Sequence, residues 1–163
     1  MGKYSCNCNK IGLDSVWADT NNISCYLMPV ERNFSNPRNE TYLLAVASAP
    51  ALSISPKEPL LYLHGGPGIA TLSNIPRYLK TRTFSLLRQD HAMVFFDYRG
   101  TGFSEPVLCK TLGDSLEAIS NTFPLKDRIA KEAALYAGCK TDLLKQGIHL
   151  SDFSSLQNAA DAE

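Results

Sequence analysis

Leu60-Leu61-Tyr62-Leu63-His64-Gly65-Gly66-Pro67-Gly68 decides the fold. Four apolar residues in succession read as a strand, residues 60–63, apolar on both faces, as in a parallel sheet covered on both sides. The glycine-rich turn straight after it lets backbone N–H groups point into the crevice at the sheet's carboxyl edge. The plain alternative is a tight strand-to-helix turn with no chemistry. A helix is predicted from about Ile75, with Asn74 as N-cap, Pro76 in the first turn and Leu79, Leu86 and Leu87 toward the core. The apolar run at 92–96 is the next strand, ended by Asp97. Strand, helix and strand of these lengths make a βαβ unit with a right-handed crossover.

A second glycine-rich turn, Asp97-Tyr98-Arg99-Gly100-Thr101-Gly102-Phe103-Ser104, follows that strand. Gly100 and Gly102 permit positive φ, and Arg99 can pair with a carboxylate to brace the loop. It reads as a structural turn beside a site. Neither turn is a phosphate cradle, because G-x-x-x-x-G-K-[ST] and G-x-G-x-x-G are both absent.

Outward from this centre, residues 24–30 and 42–47 are two more strands, joined by a turn-rich stretch. Residues 1–22 are polar and patternless and read as an arm, leaving 23–163 as the α/β part. Beyond Pro106 the pattern is helical, with Ile129, Ala133, Tyr136, Leu143 and Leu144 near one face and Gly147 as the stop. Ser154-Ser155-Leu156-Gln157 is a capping-box start for a helix over 155–163. The chain ends two turns into that helix, which reads as the interior of a larger domain.

The 163 residues fit one domain; 44% are hydrophobic, 20% are charged and the net charge is zero. That balance gives no electrostatic reason to bind nucleic acid or an anionic membrane surface. No apolar run reaches the roughly 20 residues of a bilayer span. No apolar signal-peptide core is visible near the N-terminus. Sequons begin at Asn22, Asn33 and Asn39, too few to argue from. Five cysteines without a C-x-x-C pair argue against a zinc ribbon or a thioredoxin-type site. Cys6-Asn7-Cys8 lacks a second ligand pair for a soft metal, and no metal or cofactor is expected.

Taken together these residues resemble the proline-iminopeptidase and tripeptidyl-aminopeptidase branch of the α/β-hydrolases, from about Trp17 to Glu163. The resemblance rests on Cys25-Tyr26-Leu27-Met28-Pro29-Val30-Glu31-Arg32, the HGGPG of 64–68 and the DYRGTGFS of 97–104. It continues through Cys109, Cys139, Gly147-Ile148-His149-Leu150 and Asn158-Ala159-Ala160-Asp161. The family usually has Gln where this chain has Tyr98.

The resemblance implies the N-terminal half of an α/β-hydrolase fold, a mixed sheet with its four strands in the order 1-2-4-3 and flanking helices. It implies a serine hydrolase that removes N-terminal residues from peptides without a cofactor. Gly65 and Gly66 would line the oxyanion hole, supported by His64, Pro67, Gly68, Asp97, Arg99, Gly100 and Gly102. The family's nucleophile lies in a G-x-S-x-G elbow beyond the Asn-Ala-Ala-Asp helix, with Asp and His after it. No such elbow occurs here, so no catalytic residue is assigned and the chain by itself is expected to be inactive. The nearest imitation, Gly102-Phe103-Ser104-Glu105-Pro106, lacks the final glycine. His64, His91 and His149 all precede the expected nucleophile and are read as bracing, surface or capping residues.

Two alternatives stand beside this reading: a non-catalytic binding module on half the scaffold, and an ester or epoxide hydrolase fragment. Cys109 and Cys139 flank a helical excursion, which a disulfide would close in an oxidising compartment; otherwise they are two buried thiols. The cysteines and the resemblance lean toward an exported protein. With the strand that leads into the nucleophile elbow missing from the sheet, the 60–63 strand is expected to present an open edge and to promote self-association.

Overall fold

The computed structural model describes residues 2–37, 40–66 and 68–163. Pro67 of the first turn and the Asn39 sequon lie outside the described residues. The structure is mixed α/β, built on a five-stranded mixed sheet with flanking helices. The strands are β1 (Tyr4–Ser5), β2 (Ser24–Glu31), β3 (Thr41–Ala49), β4 (Lys57–Tyr62) and β5 (His91–Phe96), in the order β1-β2-β3-β5-β4. This corrects the expected four-strand order, because Tyr4–Ser5 adds a fifth strand beside β2. β4 runs parallel to β5, and every other pairing is antiparallel.

Period-two alternation divides the sheet into two apolar faces. Cys25, Ala45, Ala47, Met93 and Phe95 face one cluster, together with Leu72, Ile75 and Tyr78. Tyr42, Leu44, Val46 and Phe96 face the other, where Phe153 and Ala162 pack.

Residues 2–22 fold onto the sheet and are not a loose arm. A 3-10 turn (Cys8–Ile11) and α1 (Ser15–Thr20) follow β1, and Ile11, Leu13 and Ala18 are buried in the first cluster. A disulfide from Cys8 to Cys25 fastens the segment to β2, with the Cα atoms 5.3 Å apart. The three buried apolar residues are too widely spaced to register as periodicity, so the sequence looked patternless.

The 60–63 strand shifts to Lys57–Tyr62 and is an edge, not a strand buried on both faces. Leu61 and Leu63 are exposed. Lys57, Glu58 and Pro59 belong to it, a composition that suits an unpaired edge.

The helix expected from Ile75 is divided into a 3-10 turn (Leu72–Asn74), α2 (Ile75–Tyr78) and α3 (Arg82–Asp90). The chain restarts at Thr81, whose hydroxyl caps Phe84 N–H. Asn74 does not cap: its side-chain amide donates to Ala70 C=O instead. The restart rotates the helix, so Phe84 packs against the core while Leu86 and Leu87 face water.

Downstream, α4 (Leu112–Thr122) and α5 (Leu125–Lys145) form a helical hairpin, closed by a disulfide between Cys109 and Cys139. With a sequence separation of 30 between the cysteines, such a closure stabilises by about 3–4 kcal/mol in the chain-entropy view. The hairpin turns its own inner face inward. Only Leu143 of α5 is buried, and the expected face is corrected: Ile129, Tyr136 and Leu144 are exposed. A 3-10 turn (Leu150–Phe153) then leads to α6 (Ser155–Asp161), whose N-cap Ser154 accepts from Gln157 N–H at 3.3 Å. Among the described residues no helix is long and apolar enough to cross a membrane.

Candidate functional site

Parallel pairing of β4 with β5 brings the two glycine-rich turns to the same edge of the sheet. Ligands of open α/β sheets bind at that edge, outside the carboxyl ends of the strands. The turns line one cavity of about 530 Å³, a volume typical of small-molecule sites. His64, Gly66 and Gly68 border it from the first turn, Tyr98 and Gly100 from the second, and Asn158 from α6.

In the first turn Gly66 and Gly68 have φ of +79° and +84°, conformations that a side chain resists. Among the described residues, neither Gly65 nor Gly66 donates its N–H to a protein acceptor. His64 turns its Nδ1 onto Gly65 C=O and stands edge-on to Tyr62, with centroids 5.9 Å apart. Its ring therefore braces the turn.

The second turn is organised by Asp97, which is fully buried. One carboxylate oxygen accepts the N–H groups of Thr71 at 2.5 Å and Leu72 at 3.0 Å, capping the 3-10 turn after the first loop. The other accepts Phe103 N–H at 3.0 Å. Burial pushes the Asp97 carboxyl above its ordinary 3.8, although three N–H donors pull it down. The folded state therefore binds the proton more readily than the unfolded state between 3.8 and the raised native value. Its contribution to stability is complete below 3.8 and is lost as pH rises through the native pKa. An NMR titration of the Asp97 side-chain carbonyl should give a midpoint above 3.8. A midpoint below that value would mean the three donors outweigh burial.

Arg99 is the hub of the loop. Its guanidinium faces the Asp161 carboxylate with both side chains fully buried. It also donates to the carbonyls of Glu31, Arg32 and Asp152 at 2.7–3.0 Å. All five of its N–H groups are used. The pair ties the second turn to α6 and to the end of β2, holding α6 over the cavity.

Ser104 is a structural hydroxyl. It donates to Asp97 C=O at 2.6 Å and accepts Ala45 N–H at 2.9 Å. Among the described residues no serine or cysteine hydrogen-bonds to a histidine. His91 opens β5 and places Nδ1 2.7 Å from Glu58 C=O, so it fastens β4. His149 precedes the last 3-10 turn, away from the cavity, and borders a separate polar pocket of about 180 Å³ with Arg32 and Asp152.

The structure thus gathers His64, Gly65, Gly66, Gly68, Asp97, Arg99, Gly100 and Gly102 at one edge and leaves Cys109 and Cys139 in the hairpin. Three contributions were not read from the sequence. They are the carboxylate of Asp97 on Thr71 and Leu72, the choice of Asp161 as Arg99's partner, and Asn158, whose buried side-chain oxygen has no donor among the described residues. Asp161 stands 62 residues from Arg99, and no local pattern links them. No family model matches the chain, and no curated protein matches it.

Proposed function

We propose that this chain is the N-terminal part of a serine hydrolase that resembles proline iminopeptidase and releases N-terminal residues from peptides. The observation that supports it is the meeting of His64, Gly66 and Gly68 with Tyr98, Gly100 and Thr101 on one cavity, with the N–H groups of Gly65 and Gly66 unclaimed by acceptors among the described residues. An acyl-transfer reaction places negative charge on the scissile carbonyl oxygen, and fixed backbone donors beside it lower the barrier. Glycine serves there because a side chain would keep the substrate carbonyl at a distance. Asp97 and Arg99 hold the two turns in register and touch no substrate themselves.

In this reading the nucleophile, base and acid are supplied by residues that follow those of this chain. The two hydrogen bonds of the buried Ser104 hydroxyl support a structural role for it and leave the nucleophile to another residue. A peptide with a free N-terminus is the substrate, and no cofactor takes part. The test begins with the coding sequence beyond Glu163, which should contain Gly-x-Ser-x-Gly. The encoded protein should hydrolyse prolyl or aminoacyl arylamides, while residues 1–163 alone should not. There Gly66→Val should lower kcat by about 10²–10³-fold. A coding sequence without the elbow, or turnover by residues 1–163 that survives Ser104→Ala, refutes the proposal.

The same reading gives β4 a missing neighbour. Among the described residues its outer edge has no partner strand, and the exposed Leu61 and Leu63 stand beside it. Residues 1–163 alone should self-associate through that edge. Light scattering should return a mass above that of a monomer; a monomer whose Tyr62 amide is strongly protected from exchange would contradict this.

A further inference from the structure

Cys6 is the one free cysteine among the described residues, and it is not isolated. β1 and β2 pair Tyr4 with Leu27 and Ser5 with Tyr26, and the next step of that register sets Cys6 opposite Cys25. The Cys6 N–H donates to Cys25 C=O at 3.0 Å, so the register continues to this pair. Residues directly opposite in an antiparallel pair have Cα atoms about 4.5–5.5 Å apart and side chains on the same face. Disulfides span Cα separations of about 4.4–6.8 Å. Cys25 is already bonded to Cys8. The intervening Asn7 is extended, with φ −65° and ψ 132°, so Cys6 and Cys8 project to the same side. All three sulfur-bearing side chains belong to one core cluster, with Cys6 partly buried at its margin.

We propose that Cys6, Cys8 and Cys25 form a thiol–disulfide exchange site in which Cys6 and Cys8 compete for Cys25. The Cys6 thiol loses its proton to solvent, and the thiolate attacks the Cys25 sulfur. A Cys6–Cys25 bond forms as the Cys8–Cys25 bond breaks. Cys8 leaves as a thiolate and takes a proton from solvent. One disulfide and one thiol stand on each side, so no oxidant or reductant is consumed.

Exchange lengthens the closed loop by only two residues from its separation of 17, so chain entropy hardly distinguishes the two isomers. The structural consequence is larger. In the Cys8-bonded form the 3-10 turn (Cys8–Ile11), with Ile11 buried, is anchored covalently to β2. In the Cys6-bonded form the tether moves to the end of β1, and that turn is held by packing alone. The site therefore switches how firmly residues 8–13 are held against the first core cluster. Burial raises the Cys6 thiol above its ordinary range, with Lys10 opposing, which makes the attack slow near neutral pH.

The test is differential alkylation of the native protein. At about pH 8.5, where an ordinary thiol is half ionised, the wild-type chain is held without added thiol, then trapped with N-ethylmaleimide. It is then unfolded, reduced and labelled with iodoacetamide. Tandem mass spectrometry of the peptide containing both Cys6 and Cys8 assigns each label, and near-UV circular dichroism verifies that the fold persists. The expected result is a population with maleimide on Cys8 and Cys6 protected, growing with incubation time. Maleimide confined to Cys6 at all times overturns the proposal. A Cys8→Ser variant, treated with oxidised glutathione, should protect Cys6 and Cys25 together. If that variant fails to fold, the wild-type mapping decides alone.

Discussion

Arg99→Ala is expected to destabilise the fold by about 3–5 kcal/mol, the usual cost of removing one partner from a buried ion pair. The guanidinium is sealed from solvent with Asp161, so the variant leaves a buried carboxylate without its counter-charge. It also leaves the carbonyls of Glu31, Arg32 and Asp152 without this donor. Because small domains are stable by only about 5–15 kcal/mol, this loss is a large share of the total. Arg99→Lys should recover part of it, since an ammonium restores the charge but not the planar fork. The double variant Arg99→Ala, Asp161→Ala should cost less than the sum of the singles, because neither charge is then stranded. Urea unfolding measures all of these. A loss under about 1 kcal/mol for Arg99→Ala would mean water enters and replaces the guanidinium.

Gly102→Ala should cost about 3 kcal/mol, combining left-handed strain with overpacking. Gly102 has φ +53°, and a Cβ there would lie 2.0 Å from an Asp97 carboxylate oxygen and 2.9 Å from Ala70 Cβ. Asp97 cannot retreat without dropping the N–H groups that it caps at Thr71 and Leu72. The damage should therefore reach the 3-10 turn after the first loop, visible as faster exchange of the Leu72 amide. Gly138→Ala is the contrasting change. Gly138 lies within α5, and a Cβ there meets nothing within 4 Å. That variant should stabilise by up to about 1 kcal/mol, through helix propensity alone. If Gly102→Ala is as stable as the wild type, Asp97 makes room for the added methyl while keeping its hydrogen bonds to Thr71 and Leu72.

What was legible in the sequence was local. Consecutive apolar residues at 92–96 specify a strand because each residue's preference acts on its own backbone. Ser154 with Gln157 opens α6 because a cap and its donor are three residues apart. The glycines at 100 and 102 mark backbone that can turn to positive φ, and it does so at both. These requirements are met within a few residues, so a few residues suffice to state them.

What covers each surface was decided only by the tertiary structure. Leu61, Leu86 and Ile129 have the apolar character of core residues, yet each faces water, because hydrophobic periodicity marks a face without saying what packs on it. Residues 1–22 read as an arm, but the disulfide from Cys8 to Cys25 and the burial of Ile11, Leu13 and Ala18 draw residues 8–18 into the core. Arg99 announced that it needed a carboxylate. Selecting Asp161 required the whole sheet to bring α6 back across it, since a charge senses whatever the fold places within a few ångströms and nothing of separation along the chain.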